Sequence, residues 1–247
     1  MTSGIAVLPL EGMPELRDGD DLGALLAESA TRAGGLEHGD VVVVAQKAVS
    51  KVEGRVIRLD ELEPSTHAHQ LAGDADPRQL EAILRDSARI VRSRPPLVIA
   101  ETRHGFVCAS AGVDASNSGG AGTLVLLPVD PDASARRLRE GLRARTGHEL
   151  GVIVSDSFGR AWRQGTTDVA LGVAGVPALL DLRGERDPAG YELRTTQIAV
   201  ADEIAGAAEL VMGKTRGVPA AIVRGLRLVG DGSGKDLVMP AERDLFR

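Results

Sequence analysis

An α+β fold with mixed sheets is predicted by three features of this 247-residue sequence. The apolar runs VVVVA at 41–45 and LGVIV at 150–154 lack polar alternation, the pattern of strands covered on both faces. Helical periodicity lies between some apolar runs but not all, so the strict βαβ alternation of a plain Rossmann fold is missing. The 30 glycines cluster between apolar runs and mark tight loops rather than disorder.

In chain order, residues 3–8 read as a short strand and 9–18 as a loop. Asp20 or Asp21 caps a helix with Leu22, Leu25, Leu26 and Ala30 on one face, ended by Gly34 and Gly35. Residues 41–45 form a buried strand, and the alternating residues 55–59 read as its partner. Asp76-Pro77 opens a second helix with Leu80, Ile83, Leu84 and Val91 in period. Residues 97–101, 106–111 and 124–127 are strands separated by glycine-bearing turns. Ser134 is read as the cap of a basic helix ending at Gly147. A strand at 150–154 follows, then an alanine-rich helix from Thr195 to about Met212, stopped by Gly213, and a last strand at 220–223. The polar, glycine-bearing segment 230–247 is expected outside the core or leading into a linker.

Composition narrows the function. Hydrophobic residues are 43% and aromatics 2%, so the core must be built from Val, Leu, Ile and Ala. A net charge of −6 excludes a general nucleic-acid binder, which needs a basic surface to displace counterions. Cys108, the lone cysteine, lies in an apolar run and reads as a buried strand thiol. The first ten residues lack a signal-peptide pattern, and no apolar stretch approaches a membrane span, so a cytoplasmic location is expected.

Two phosphate-loop look-alikes fail on spacing. Gly213-Lys214-Thr215 has the right ending, but its upstream glycine is too distant, and 230–235 is followed by Asp236 with little chain left. Backbone amides and a lysine after a helix still suit an anion at Gly213 and Lys214. The acids say more. Asp114 follows an apolar strand, and Asp156 ends another between Ser155 and Ser157. Carboxylates at two strand ends make a hard-oxygen site for Mg²⁺ or Mn²⁺; two Asx turns closing those strands are the alternative. After Asp156 comes a loop, 158–165, with the only tryptophan between Arg160 and Arg163. It reads either as an anion-binding loop or as a salt-bridged surface. Lys47 and Lys51, with Ser50 between them, could hold a triphosphate or lie on a solvated strand end. Asp202 and Glu203 read as exposed or capping acids. His67 and His69 have no third partner, which argues against zinc.

Seven stretches, LPLEGMPELRDGDDL, QKAVSKVEGR, GFVCASAGVDASN, LLPVDPDASARRLR, IVSDSFGRAWRQGTTDVALGVAG, RTTQIAVADEIAGAAELVMGK and VPAAIVRGL, together resemble the coenzyme F420-0:γ-glutamyl ligase family, in family order over about residues 4–228. The resemblance implies an uncommon α+β fold with two subdomains, an intertwined homodimer, a catalytic domain over 1–229 and a tail or linker start over 230–247. It implies GTP- and divalent-metal-dependent addition of L-glutamate to the phospholactyl carboxylate of a deazaflavin, F420-0 or its dehydro form, through an acyl phosphate. Further γ-linked glutamates can follow, in coenzyme F420 biosynthesis. By the same resemblance, Asp114 and Asp156 are the catalytic acids and bind one metal ion, and Ser157, where the family has threonine, binds a second. Met13, Pro14, Glu15, Leu16, Gln46, Lys51 and Asn117 meet the nucleotide, with Gly213 and Lys214 near its phosphates. Arg160 and Arg163 are assigned, from their charge alone, to the anionic deazaflavin tail or glutamate. The alternatives are a metal-dependent phosphoryl transferase or hydrolase acting on another phosphate ester, and a non-catalytic nucleotide-binding module. Neither nucleic acid nor membrane is an expected partner.

Overall fold

The computed structural model describes residues 4–245 and is a mixed α+β molecule. The elements in chain order are β1 (Ala6–Pro9), α1 (Leu22–Arg32), β2 (Val41–Ala45), α2 (Gln46–Val52), β3 (Val56–Arg58), α3 (Thr66–Ala72), α4 (Pro77–Asp86), β4 (Ser87–Arg94), β5 (Leu97–Thr102), β6 (Val107–Ala109), β7 (Thr123–Val125), α5 (Pro131–Thr146), β8 (Gly151–Arg160), β9 (Arg163–Ala174), β10 (Leu180–Asp181), β11 (Gln197–Ile198), α6 (Val200–Met212) and β12 (Ala220–Arg224). A five-stranded sheet, in the order β1-β12-β2-β8-β9, forms the centre. Its β2–β8 pair is parallel, with Val41 opposite Gly151 and Ala45 opposite Ser155; the other pairs are antiparallel.

The valine run sets this centre. Successive side chains of β2 point to opposite faces. Val42 and Val44 join Val152 and Val154 in a core with Leu26 of α1 and Leu142 of α5. Val41 and Val43 join Ile153 in a second core with Ile204 and Ala208 of α6. Each such side chain contributes about 1.5–3 kcal/mol on burial. Both faces being covered explains why the run shows no polar alternation.

Between β2 and α5 the chain builds a smaller layer. There β4-β5-β6 form one sheet, packed with α3 and α4 around Leu71, Leu80, Ile83, Val98 and Ala100, and β3-β7 form another, whose Ile57 and Leu124 pack with Leu59 and with Ala82 of α4. Strand β3 pairs with β7, not with β2, because β2 is already flanked by β12 and β8. The periodicity running to Val91 breaks at Asp86: Ser87 is extended, and the β-branched Ile90 and Val91 lie in β4.

Other ends differ from expectation for local reasons. Helix α5 starts at Pro131 with Asp130 as its cap, whose Oδ1 accepts the Ala133 amide at 2.9 Å; Ser134 lies one turn inside. Helix α6 begins at Val200, and residues 197–198 form a strand before it. Gln46 to Val52 is a helix, which the sequence reading left as a strand end. The segment 158–165 is not a loop but the end of a β-hairpin: β8 continues to Arg160 and β9 starts at Arg163, with Trp162 at φ +56° in the turn. Ser3 of the expected first strand lies outside the described residues.

The start of the C-terminal segment is not outside the core. The carboxylate of Asp132 accepts the Val173 amide at 2.9 Å, the Gly234 amide at 2.7 Å and the Ser233 hydroxyl at 2.6 Å, pinning 233–234 to α5 and β9. Gly234 is buried, and a Cβ there would lie 2.0 Å from the Leu171 carbonyl oxygen. Among the described residues no helix is long and apolar enough to cross a membrane.

Candidate active site

Strands β2 and β8 run parallel, and β2 ends at Ala45 opposite Ser155, so the rim where β2 stops lies beside Ser155–Ser157 while β8 continues into the hairpin. Ligand sites form at such rims because side chains project there while the backbone stays held. At this rim β2 turns directly into α2, carrying Lys47 and Lys51, while β8 carries Ser155, Asp156 and Ser157. A cavity of about 420 Å³ opens here. The loop Met13, Pro14, Glu15 and Leu16 forms one wall, and Lys47 and Lys51 of α2 another. Asp156, Ser157 and Asp168 lie on the hairpin side, with Asn117 from the β6–β7 connection. Glu209, Gly213, Lys214 and Thr215 at the end of α6 complete it. Segments spanning some 200 positions of chain thus converge on one space.

The cavity brings together most of the residues singled out in the sequence. Asp156 faces it from a half-buried position. Burial pushes its carboxyl up to about 7; the Ser157 amide opposes this, and the negative charges of Asp168 and Asp114 add to the rise. Asp114 does not itself line the cavity but is bonded to Lys47, which does; its backbone is fixed by paired hydrogen bonds with Val125 at 3.0 and 2.8 Å. Its Oδ2 meets Lys47 Nζ at 2.6 Å and its Oδ1 accepts the Ser116 amide at 2.7 Å. Burial works to raise the Asp114 carboxyl, but Lys47 and the Ser116 amide prevail and hold it below the usual range. Asn117 takes a left-handed backbone at φ +52°, which asparagine tolerates better than most residues, and its Nδ2 donates to the Lys214 carbonyl at 3.2 Å. That bond ties the Asp114 loop to the end of α6. Lys51 pairs with Glu15 across the mouth.

Besides Asp114, three assigned residues are not among those lining the cavity: Gln46, Arg160 and Arg163. Gln46 is buried, with Oε1 accepting the Ser50 hydroxyl at 3.0 Å and Nε2 without a partner. Arg160 and Arg163 are exposed at the end of the hairpin, where their charge faces solvent. Cys108 is buried, and burial pushes its thiol up to about 12, with the charge of Asp156 acting in the same direction; an inert strand thiol is what the structure shows.

Asp168 and Glu209 were missed. Asp168 accepts the Ser157 hydroxyl at 2.6 Å and the Ser155 hydroxyl at 2.8 Å, and its amide donates to Glu209 Oε2 at 3.0 Å. The signal is faint: one acid between Thr167 and Val169, beyond the 158–165 loop and in a stretch whose residue pattern marks no element. Asp202 is neither exposed nor a cap. Burial raises its carboxyl, and its Oδ1 accepts the Ala170 amide at 2.9 Å, joining α6 to β9.

The donor set fits a hard divalent cation. Asp156, Ser157 and Asp114 offer only oxygen, and carboxylates crowd one another around Asp156. Among the described residues no three acid, histidine or cysteine side chains converge on one point. An ion here would therefore take hydroxyl and substrate oxygens beside the two carboxylates. With Lys47, Lys51 and Lys214 around the same space, the arrangement can bind a polyanion and neutralise it.

Comparison with known proteins gives the family. The family model described as F420-0:gamma-glutamyl ligase matches residues 12–225. A protein of Methanothermobacter thermautotrophicus named coenzyme F420:L-glutamate ligase is 48% identical over 252 residues, covering 99% of each chain. One of Methanopyrus kandleri with the same name is 47% identical over 255 residues, again at 99% of each. One of Methanocaldococcus jannaschii, also so named, is 44% identical over 216 residues, 86% of each chain.

Proposed function

The chain belongs to the F420-0:γ-glutamyl ligase family, and we propose that it joins L-glutamate to the phospholactyl carboxylate of coenzyme F420-0, or its dehydro form, at the expense of GTP. The observation that carries this reading is the convergence of Met13–Leu16, Lys51, Asn117 and Gly213–Lys214 around Asp156 and Ser157 in one cavity.

The chemistry follows from the acceptor. A carboxylate is a poor electrophile because its charge repels an amine and its oxygen is a poor leaving group. Transfer of the γ-phosphoryl group breaks the bond to GDP and forms an acyl phosphate. The glutamate amine then attacks the acyl carbon, phosphate leaves, and the amine loses a proton. Such a transfer asks the protein for positioning and charge stabilisation more than for covalent chemistry. Lys51 and Lys214 meet the phosphates, and the loop at 13–16 cradles the nucleotide. Asp156 and Asp114 with Ser157 would hold one or two Mg²⁺ or Mn²⁺ ions, which supply neutralisation of the triphosphate charge. Asp168 accepts the Ser157 proton, which leaves that oxygen's acceptor capacity for an ion. A homodimer and a cytoplasmic location belong to the same reading, as do further γ-linked additions.

Incubation with GTP, Mn²⁺, L-glutamate and the deazaflavin, followed by mass spectrometry, tests it. Glutamyl adducts and GDP should appear together and only with all components present. GDP formed at full rate without glutamate would favour the phosphoryl transferase or hydrolase reading. Nucleotide binding without any turnover would leave a binding module.

A further inference from the structure

Lys47 has no task in the scheme above, yet it is the best-held cation at the site. It stands in the first turn of α2, and its ammonium meets Asp114 Oδ2 at 2.6 Å, Ser116 Oγ at 2.6 Å and the Ser116 carbonyl at 2.9 Å. An ammonium has three protons, so these partners use all of them. Its charge also bears on Asp156, opposing the rise in that carboxyl. The ammonium thus sits in the field of both carboxylates that would hold the divalent ion. Both oxygens of Asp114 are already engaged, Oδ2 by Lys47 and Oδ1 by the Ser116 amide.

Two cations sharing one carboxylate repel each other, so a divalent ion entering at Asp114 weakens that carboxylate's hold on the ammonium. A half-buried ammonium that loses its partner is costly unless it finds another acceptor. Lysine can move, because its stem is flexible and its three donors rotate. Lys47 already lines the cavity with Lys51 and Lys214, where a triphosphate offers new acceptors. We propose that Lys47 is an internal counter-cation that holds Asp114 until a divalent ion binds and then passes to the nucleotide phosphates, coupling the two binding events. The proposal rests on the metal- and nucleotide-binding reading of the cavity. By linkage, the coupling acts equally in both directions.

The test is calorimetric titration of Mn²⁺ alone into the folded wild type, Lys47→Met and Lys47→Arg, repeated with a non-hydrolysable GTP analogue. Without nucleotide, Lys47→Met should bind Mn²⁺ about fivefold tighter than wild type, because a competing charge has gone. Lys47→Arg, which keeps the charge, should stay near wild type. The gain in Mn²⁺ affinity on adding the analogue should be about fivefold smaller in Lys47→Met. A lysine that merely braces the 114–118 loop predicts the opposite sign. Equal or weaker Mn²⁺ binding by Lys47→Met therefore overturns the proposal. If circular dichroism shows Lys47→Met unfolded, Ser116→Ala answers in its place. It removes one acceptor of the ammonium and should tighten Mn²⁺ about twofold; unchanged or weaker binding overturns the proposal. Failure of folded wild type to bind Mn²⁺ at all would remove the metal reading itself, a result distinct from the others.

Discussion

Asp168 accepts the hydroxyl of Ser157 at 2.6 Å across the β8–β9 hairpin, and its second oxygen accepts Ser155 at 2.8 Å. Both serines therefore spend their proton on one carboxylate. Ser157, which lines the cavity, keeps its oxygen's acceptor capacity for another partner. A residue that orients a ligand in this way leaves its own mark on activity.

Asp168→Asn keeps the size but offers one acceptor where two are used. The Ser157 hydroxyl then turns, and kcat should fall about 10–100-fold with the fold intact. Steady-state kinetics beside a circular dichroism spectrum decide it. Unaltered kcat at saturating Mn²⁺ counts against the orienting role.

Asp156→Asn should abolish turnover while stabilising the metal-free protein at pH 8. The Asp156 carboxyl is raised from about 3.8 in the unfolded chain to about 7 in the fold, chiefly by burial. The folded state thus binds this proton more tightly. Ionisation costs stability progressively as pH rises from 3.8 to 7, and the cost is complete above 7. The variant never ionises there. Its melting temperature in chelator should exceed wild type at pH 8, by about 2–4 °C for each kcal/mol recovered, and the gap should shrink toward pH 4. A lower melting temperature at pH 8 would contradict the burial account.

Lys51→Ala removes the ammonium that faces Glu15 across the cavity mouth. Nucleotide affinity should drop about tenfold, with a smaller effect on kcat once GTP saturates. Titration of a fluorescent GTP analogue measures it directly. An unchanged dissociation constant places Lys51 outside the nucleotide site.

Glu81 supplies an acid-sensitive contact away from the cavity. Its carboxyl is held at about 2 by the Ser65 amide, then by Arg85 and the Ser65 hydroxyl. The depressed value means this contribution is present above about 4.5 and is lost as pH falls toward 2. Glu81→Gln should cost about 1–2 kcal/mol at pH 7 and much less at pH 2, where the Glu81 carboxylate is already partly protonated. Urea melts at both pH values test this, and an equal loss at both would contradict it.

Legibility in the sequence followed the range of the interaction. The run at 41–45, the helix opened by Asp76-Pro77 and the Gly147 stop were readable because spacing and caps act within a few residues. The stretch 163–174 was not. Its first half is polar, and its strand identity comes from pairing with β8. Likewise, nothing local reveals that residues 55–59 leave β2 for β7, since that depends on which neighbours β2 already has.

The sequence by itself determined the mixed strands and helices, the hard-oxygen character of Asp114, Asp156 and Ser157, and the family resemblance. Each rests on residue type and order. Only the tertiary structure decided that Asp168 and Glu209 join the cavity, that Gln46, Arg160 and Arg163 do not, and that Lys47 already holds Asp114. These depend on which segments a fold brings within about 3 Å, and a one-dimensional order of residues does not encode that distance.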